Sequence, residues 1–398
     1  ELSAQGTLSQ LVFSESAIAG VEIQKRLQEG REFDQETLEL DAVQLAANAY
    51  LNVLTAKTLL RIEQDNLGRT RSNLGLARTR QSIGVSGPAE VYRWESRFAT
   101  DQAAVLEAEA RVARTELALN RLLGERQTRA FTTADATLEA PFFLGTQPQL
   151  GDYISNPWDY AIFRDFIARR AVDQSPELDA LEQRIGAQER QITSAKRSFW
   201  TPTLGVEASA GWRIAEGGAG TGGPTGFPPE FAGQFPEVDD WAWSVGFSLS
   251  IPLFEQGQRI VELDQARARR IALRAERRAL RSQIELRVRD LLQRIRVSWP
   301  NLELSRQAAE SARKNLELVT DAYSRGAVDI LELLDAQSAT FRAEQAAANA
   351  VYVFLSDMID VERAAGEFYV FKSEAEREAL FDALDRYFEE HRTQKEQR

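Results

Sequence analysis

Two periodicities divide the chain. From about Ser14 to Arg80, apolar positions recur every three or four residues, with Leu38, Ala42, Leu45, Ala49, Val53 and Ala56 on one stripe and no proline anywhere. That spacing predicts a single amphipathic helix. At 1.5 Å per residue such a helix is a rod of roughly 100 Å. Globular helices are far shorter, so the length predicts a coiled coil or a helical tube. After a turn over Gly84–Pro88 a shorter helix runs to about Leu123. A second long helix is predicted from about Gln258 to Tyr323, with Leu280, Ile284, Val288, Leu291 and Ile295 on its inner stripe. Pro300 falls inside it and is expected to kink it, because proline removes a backbone hydrogen bond. A helix over 330–365 follows and is the counterpart of 89–123.

Elsewhere the period is two. Leu2, Ala4, Gly6 and Leu8 alternate with Ser3, Gln5, Thr7 and Ser9, which predicts a strand over Glu1–Phe13. In Trp200–Ile214, Leu204, Val206, Ala208, Ala210, Trp212 and Ile214 share a face. In Trp241–Leu253, Trp241, Trp243, Val245, Phe247, Leu249, Ile251 and Leu253 do the same. The opposite faces are small and polar. A water-soluble sandwich also alternates, but long apolar faces with Trp200, Trp212, Trp241 and Trp243 near the strand ends match transmembrane β-strands with an interfacial aromatic girdle. Between the two strands, Gly217–Val238 is rich in glycine and proline and is expected to be an irregular loop.

The remaining stretches are shorter. Residues 124–175 carry Phe142, Phe143, Pro148, Tyr153, Trp158 and Tyr160 and are expected to form a compact insert with a short helix over Trp158–Ala171. Ser175-Pro-Glu-Leu opens a helix reaching about Ser198, with Pro176 suited to the first turn. Residues 367–398 contain an amphipathic helix over Glu374–Phe388 and a charged end expected to be disordered.

The centre of the pattern is Tyr323-Ser-Arg-Gly-Ala-Val-Asp-Ile-Leu-Glu-Leu-Leu-Asp-Ala-Gln337. One helix ends, Gly326 supplies a left-handed reversal, and Asp329 is placed to cap the next helix. Glu332 and Asp335, three apart, share a helix face. The stretch starting at Ser82 matches it at one constant offset: Gly84 falls on Gly326, Glu90 on Glu332 and Ser96 on Ser338. Gly124 falls on Gly366, and Leu8-Ser-Gln-Leu-Val-Phe13 matches Leu249-Ser-Ile-Pro-Leu-Phe254. The expected organisation is therefore an internal two-fold repeat. It comprises a first copy at 1–123, the insert at 124–175, a second copy at 176–366 that includes a β-hairpin over 200–253, and a tail at 367–398.

Composition narrows the chemistry. The 398 residues carry a net charge of -12, which argues against a nucleic-acid partner. With no cysteine and one histidine, His391, thiolate metal sites, disulfides and most histidine catalysis are excluded. No metal, cofactor or enzyme activity is expected. No apolar run approaches the roughly 18 residues of a membrane-spanning helix. No signal peptide is present, so the chain is expected to be mature, a fragment, or cytosolic.

The order and spacing of these elements resemble the TolC-like outer-membrane efflux proteins. The marks are Tyr323-Ser-Arg-Gly followed by Ile-Leu-Glu-Leu-Leu-Asp-Ala-Gln, the strand-to-helix junction Pro252-Leu-Phe-Glu-Gln-Gly257, Ser175-Pro-Glu-Leu, and Pro202 before a strand. The resemblance implies a mainly α fold with membrane β-strands. It also implies a homotrimer with an α-helical periplasmic barrel and one shared outer-membrane β-barrel, to which each protomer gives four strands. A periplasmic adaptor meets the helical tips and links to an inner-membrane pump. By motif position, Glu332, Asp335 and Glu90 match the acidic periplasmic constriction, and Tyr323 matches a tyrosine of the gating network. The family's gating arginine of the second repeat falls on Val328, with Arg325 nearby but not at that position, so a differently built lock is expected. Ile83, Gly84, Val85, Arg325, Gly326 and Ala327 are the expected adaptor-contact tips. Glu1 aligns with residue 242, so the first-copy counterpart of 176–241 is expected to exist in the native protein.

Three functions are weighed. A passive exit duct accounts for both the rods and the apolar-faced strands. A periplasmic coiled-coil adaptor or scaffold accounts for the rods alone, and high salt would wash it from membranes. An enzyme lacks any catalytic constellation.

Overall fold

The computed structural model describes residues 2–129, 133, 157–215, 240–251, 253 and 255–396, with backbone only at 157, 158 and 392–396. The expectations for Phe142, Phe143, Pro148, Tyr153, the Trp158 side chain, the 217–238 loop, Pro252 and Phe254 lie outside the described residues. The elements in order are β1 (Leu2–Phe13), α1 (Glu15–Ser82), α2 (Pro88–Leu122), α3 (Pro157–Asp173), α4 (Pro176–Arg197), β2 (Thr203–Ala215), β3 (Trp241–Ser250), α5 (Gln258–Ser324), α6 (Ile330–Ala364), a 3-10 turn (Tyr369–Phe371) and α7 (Glu374–Glu396). The chain divides into two units, Glu1–Phe33 with Asp179–Arg278, and Asp34–Leu178 with Ala279–Arg398.

The first unit holds the sheet, ordered β1-β2-β3 with both pairings antiparallel. Its register sets like against like. Leu204 faces Leu249, Val206 faces Phe247, Ala208 faces both Val245 and Leu8, and Trp212 faces Trp241. The other face pairs Thr7 with Ser209 and Ser209 with Ser244, whose hydroxyls lie 2.8 Å apart. Period two carries each apolar set to one side, and Phe247 at 79% exposure shows how bare that side is. Two strand ends differ from expectation. β2 begins at Thr203, and Trp200 lies in the turn after α4, where its N–H bonds to the Arg197 carbonyl at 3.1 Å. β3 ends at Ser250 rather than Leu253. Pro202 stands just before the start of β2, and proline cannot donate to a ladder. Below the sheet, Arg190 bridges α4 to Glu15 at 2.8 Å, and Arg274 of α5 bridges to Glu189 at 2.7 Å.

The second unit is a helical bundle with two apolar clusters. The larger one joins Leu51 and Leu54 of α1, Phe163 and Ile167 of α3, Ile284 to Ile295 of α5, Phe354 to Ile359 of α6, and Leu384 and Phe388 of α7. The α5 stripe is buried from Ile284 to Ile295, and Leu280 is half-buried. The α1 stripe is buried only from Val53 onward; Leu38 and Leu45 are 67% and 56% exposed. Helix α5 passes through Pro300 without a break. Trp299 packs on Phe354 with ring centroids 5.1 Å apart, and Leu302 is buried, so packing on both sides holds the helix across the missing bond. α7 also runs past Phe388 to Glu396, through the charged end expected to be disordered. Glutamate, lysine and arginine are good helix formers, and the Tyr387 ring stacks on His391 at 4.0 Å.

Candidate functional site: the hairpin tips

Two helical hairpins, α1–α2 and α5–α6, end in turns of the same backbone. Gly84 and Gly326 both have φ +77°. At the first turn, Gly84 N–H bonds the Gln81 carbonyl and Val85 N–H the Arg80 carbonyl; at the second, Gly326 N–H bonds Tyr323 and Ala327 N–H bonds Ala322. This double bond pattern closes a helix with a left-handed residue, which glycine adopts without steric cost. Asp329 then caps α6, its Oδ1 accepting from the Leu331 and Glu332 amides at 2.9 and 3.1 Å. α2 starts instead from Gly87, with Pro88 in its first turn and no side-chain cap.

Behind the turns lies the smaller apolar cluster: Leu74, Ala77, Val91, Trp94, Leu316, Tyr323, Leu333 and Ala336, with Val328 packed against it. Tyr323 is fully buried. Its hydroxyl donates to Glu90 at the start of α2. Arg80, in the last turn of α1, donates from Nη1 to the Tyr323 carbonyl at 2.8 Å, lies over the Tyr323 ring at 4.7 Å, and pairs through Nε with Glu90 at 3.7 Å. Glu332 and Asp335 are both exposed, and no described side chain neutralises either. Arg325 is exposed and pairs with Asp321 of its own helix, so it stands apart from the Tyr323 group. Ile83 and Val85 project from the first turn at 68% and 57% exposure.

The sequence therefore located most of the tip but grouped it differently. Glu90, expected beside Glu332 and Asp335, is held by Tyr323 and Arg80. Arg80 itself carried no signal beyond ending a helix, because its partner is the far-off Tyr323.

A second feature had no signal at all. One helical turn past Leu333, the packing between α1, α2 and α6 becomes polar. Gln337 accepts from Asn73 at 3.0 Å and donates to Asn66 at 3.0 Å and Thr70 at 2.6 Å; Thr70 in turn donates to Asp101 at 2.6 Å. All five are buried. Next along α6, Glu344 takes a forked pair from Arg69, both at 3.0 Å, and a further contact from Arg313 of α5. Burial opposes its ionisation, but the two guanidiniums outweigh it and hold the Glu344 carboxyl below its ordinary value. The seam between α1 and α6 continues in kind: Gln345 donates to Glu63, Tyr352 meets Thr58, Ser356 meets Asn48, and Gln44 donates to Asp360.

The long helices of the chain meet in two hairpin tips, and its sheet carries one bare apolar face. Among the described residues no helix is long and apolar enough to cross a membrane. The profile of the family described as outer membrane efflux protein matches residues 1–125 and 167–367. The outer membrane protein TolC of Escherichia coli is 23% identical over 365 residues, covering 92% of this chain and 69% of TolC. The pyoverdine export outer membrane protein OpmQ of Pseudomonas aeruginosa is 26% identical over 343 residues, covering 84% of this chain and 63% of OpmQ. The outer membrane protein VceC of Vibrio cholerae superposes with a TM-score of 0.68 at 16% identity, covering 92% of this chain and 86% of VceC. The chain belongs to the outer membrane efflux protein family. It is an outer-membrane channel protein, an exit duct for efflux.

Proposed function

We propose that three copies of the chain form a passive conduit. They would share one β-barrel in the outer membrane and one helical tube in the periplasm, whose tips meet an adaptor coupled to an inner-membrane pump. The bare apolar face of the sheet supports the barrel: each strand is 10 to 13 residues long, near the length that crosses a bilayer. Trp212, Trp241 and Trp243 at one end, with Trp200 before the other, suit the two aromatic belts. Among the described residues β1 and β3 each keep an unpaired edge, and lipid does not tolerate open edges. The exposed Leu38 and Leu45 suit contacts between copies.

The two-fold repeat belongs to the same reading, with copies at 1–123 and 176–366 around the 124–175 insert and the 367–398 tail. Helices of 68 and 67 residues, each followed by one of 35, support it.

The observation that carries the site is the pair Glu332 and Asp335, exposed on one face of α6 just beyond the turn. In three copies the pairs form an acidic ring that favours cations and resists further narrowing. Tyr323 and Glu90 form the gating contact, and Ile83, Gly84, Val85, Arg325, Gly326 and Ala327 present the adaptor surface. The test is single-channel conductance of the full native gene product in a planar bilayer, for the parent and for Glu332→Ala with Asp335→Ala. A cation-selective pore whose conductance rises in the variant is expected. A pore indifferent to the change discards the ring and keeps the duct. Well-inserted protein with no pore overturns the duct.

A further inference from the structure

We propose that Glu207 forms a second charge filter, inside the β-barrel, which favours cationic over anionic solutes independently of the helical tips. The inference rests on the trimeric barrel proposed above. Glu207 lies within β2, nearer its Thr203 end. Period two sets it on the face opposite Val206 and Ala208. Its register partners are Ser9 of β1 and Gly246 of β3. A carboxylate on the lipid side of a membrane strand is costly. With Val206, Ala208, Val245 and Phe247 turned to lipid, Glu207 faces the water-filled interior.

Its surroundings single it out. Glu207 and Arg213 are the only charged residues in the three described strands. They share a face but stand six residues apart along β2, roughly 20 Å at about 3.3 Å per residue. Arg213 is near the far end of the strand, where its amide donates to the Asp240 carbonyl at 2.8 Å. Beside Glu207 the side chains are short or absent, and a Cβ added at Gly246 would meet nothing within 4 Å. The carboxylate therefore rises from a low, neutral floor. A carboxylate that tied strands together would meet a donor; among the described residues no side chain pairs with this one.

In three copies these carboxylates repeat at one height around the axis. A ring of like charge favours the opposite ion. Its reach is set by salt: the screening length is about 30 Å at roughly 0.01 M and about 3 Å at roughly 1 M. In dilute salt the field fills the lumen, and in strong salt it shrinks to the wall. The Glu332 and Asp335 pairs lie at the hairpin tips, so the two filters act in series and one hides the other until it is neutralised.

The experiment measures the cation-to-anion permeability ratio of the full native gene product in a planar bilayer, from reversal potentials in a potassium chloride gradient. The parent is compared with Glu332→Ala/Asp335→Ala and with the same pair carrying Glu207→Gln or Glu207→Lys. Glutamine keeps the length and drops the charge. The tip variant is expected to retain a cation preference. Adding Glu207→Gln should lower the ratio roughly two-fold or more at ~0.01 M salt and hardly at ~1 M, and Glu207→Lys should favour anions. The 398 residues contain no cysteine, so Glu207→Cys gives them one thiol. A charged, water-soluble thiol reagent should change its current and leave Ala208→Cys on the lipid face untouched. A ratio that ignores Glu207→Gln in dilute salt overturns the inference, as does a Glu207→Cys thiol that never reacts in a conducting channel. If the combined variants do not insert, Glu207→Gln in the parent decides by the same ratio. A parent that inserts without conducting overturns the duct reading instead.

Discussion

The two hairpin tips share a backbone and differ in chemistry. Both close on a glycine at φ +77° with the same pair of amide bonds. The first tip is then apolar and bare, with Ile83 and Val85 outward and no side-chain cap on α2. The second is polar, with Asp329 capping α6 and two unpaired carboxylates just behind it. Backbone geometry is set by where a chain must reverse, and it leaves the side chains free to take different tasks. In the duct proposed above, the first tip would offer contact area to a partner and the second would offer charge to whatever passes.

The largest test of that independence lies at the far ends of the same hairpins. Gly124 and Gly366 close α2 and α6 with φ of +67° and +81°. A Cβ at Gly124 meets nothing, whereas one at Gly366 would sit 2.7 Å from the Gln174 carbonyl oxygen. Gly124→Ala is expected to cost about 1–2 kcal/mol for the left-handed backbone. Gly366→Ala adds about 1–3 kcal/mol for overlap with main chain that cannot rotate away. Thermal melts in detergent should separate them, and equal melting temperatures would show that Gln174 yields.

Next is Glu344→Ala, which strips two arginines of a mostly buried partner and is expected to cost roughly 2–3 kcal/mol. The same pair carries a pH signature. The folded-state carboxyl titrates below its ordinary 4.5, so its stabilising contribution is complete above that value and fades as pH falls through the lower one. Parent protein should lose melting temperature over that acidic window more steeply than Glu344→Gln. Parallel curves would mean that other carboxylates dominate. The smallest effect is at the cap. Asp329→Ala should cost about 1 kcal/mol, visible as faster hydrogen exchange at the Leu331 and Glu332 amides. Unaltered exchange there would show that the turn alone holds the second tip.

Helix positions were legible in the sequence because a 3.6-residue period is a property of one segment. The partner of each stripe was not. Leu38 and Leu45 read like Val53, yet they are exposed, since periodicity is the same whether the apolar face meets its own chain or another copy. Trp200 looked like strand because alternation carries on through Thr201-Pro202, where the ladder has no donor to offer. The tail beyond Phe388 looked disordered on charge alone, although its residues favour helix and Tyr387 ties it down. At the site, Glu332, Asp335 and Tyr323 stood out only through the resemblance of their motif to the family's. Arg80 and Gln337 were not, because each is defined by partners hundreds of residues away.

The seam between α1 and α6 has one further consequence. Its contacts from Gln44 with Asp360 to Asn73 with Gln337 join amides, hydroxyls and carboxylates, each to its own partners at its own height. An oily seam would tolerate a slip of one turn, since leucine against leucine is much the same one notch along. Here a slip would set donors against donors and strand them in the dry. The seam works like the cuts of a key, costing some grip and admitting only one depth of insertion. That depth is what brings Arg80 level with Tyr323.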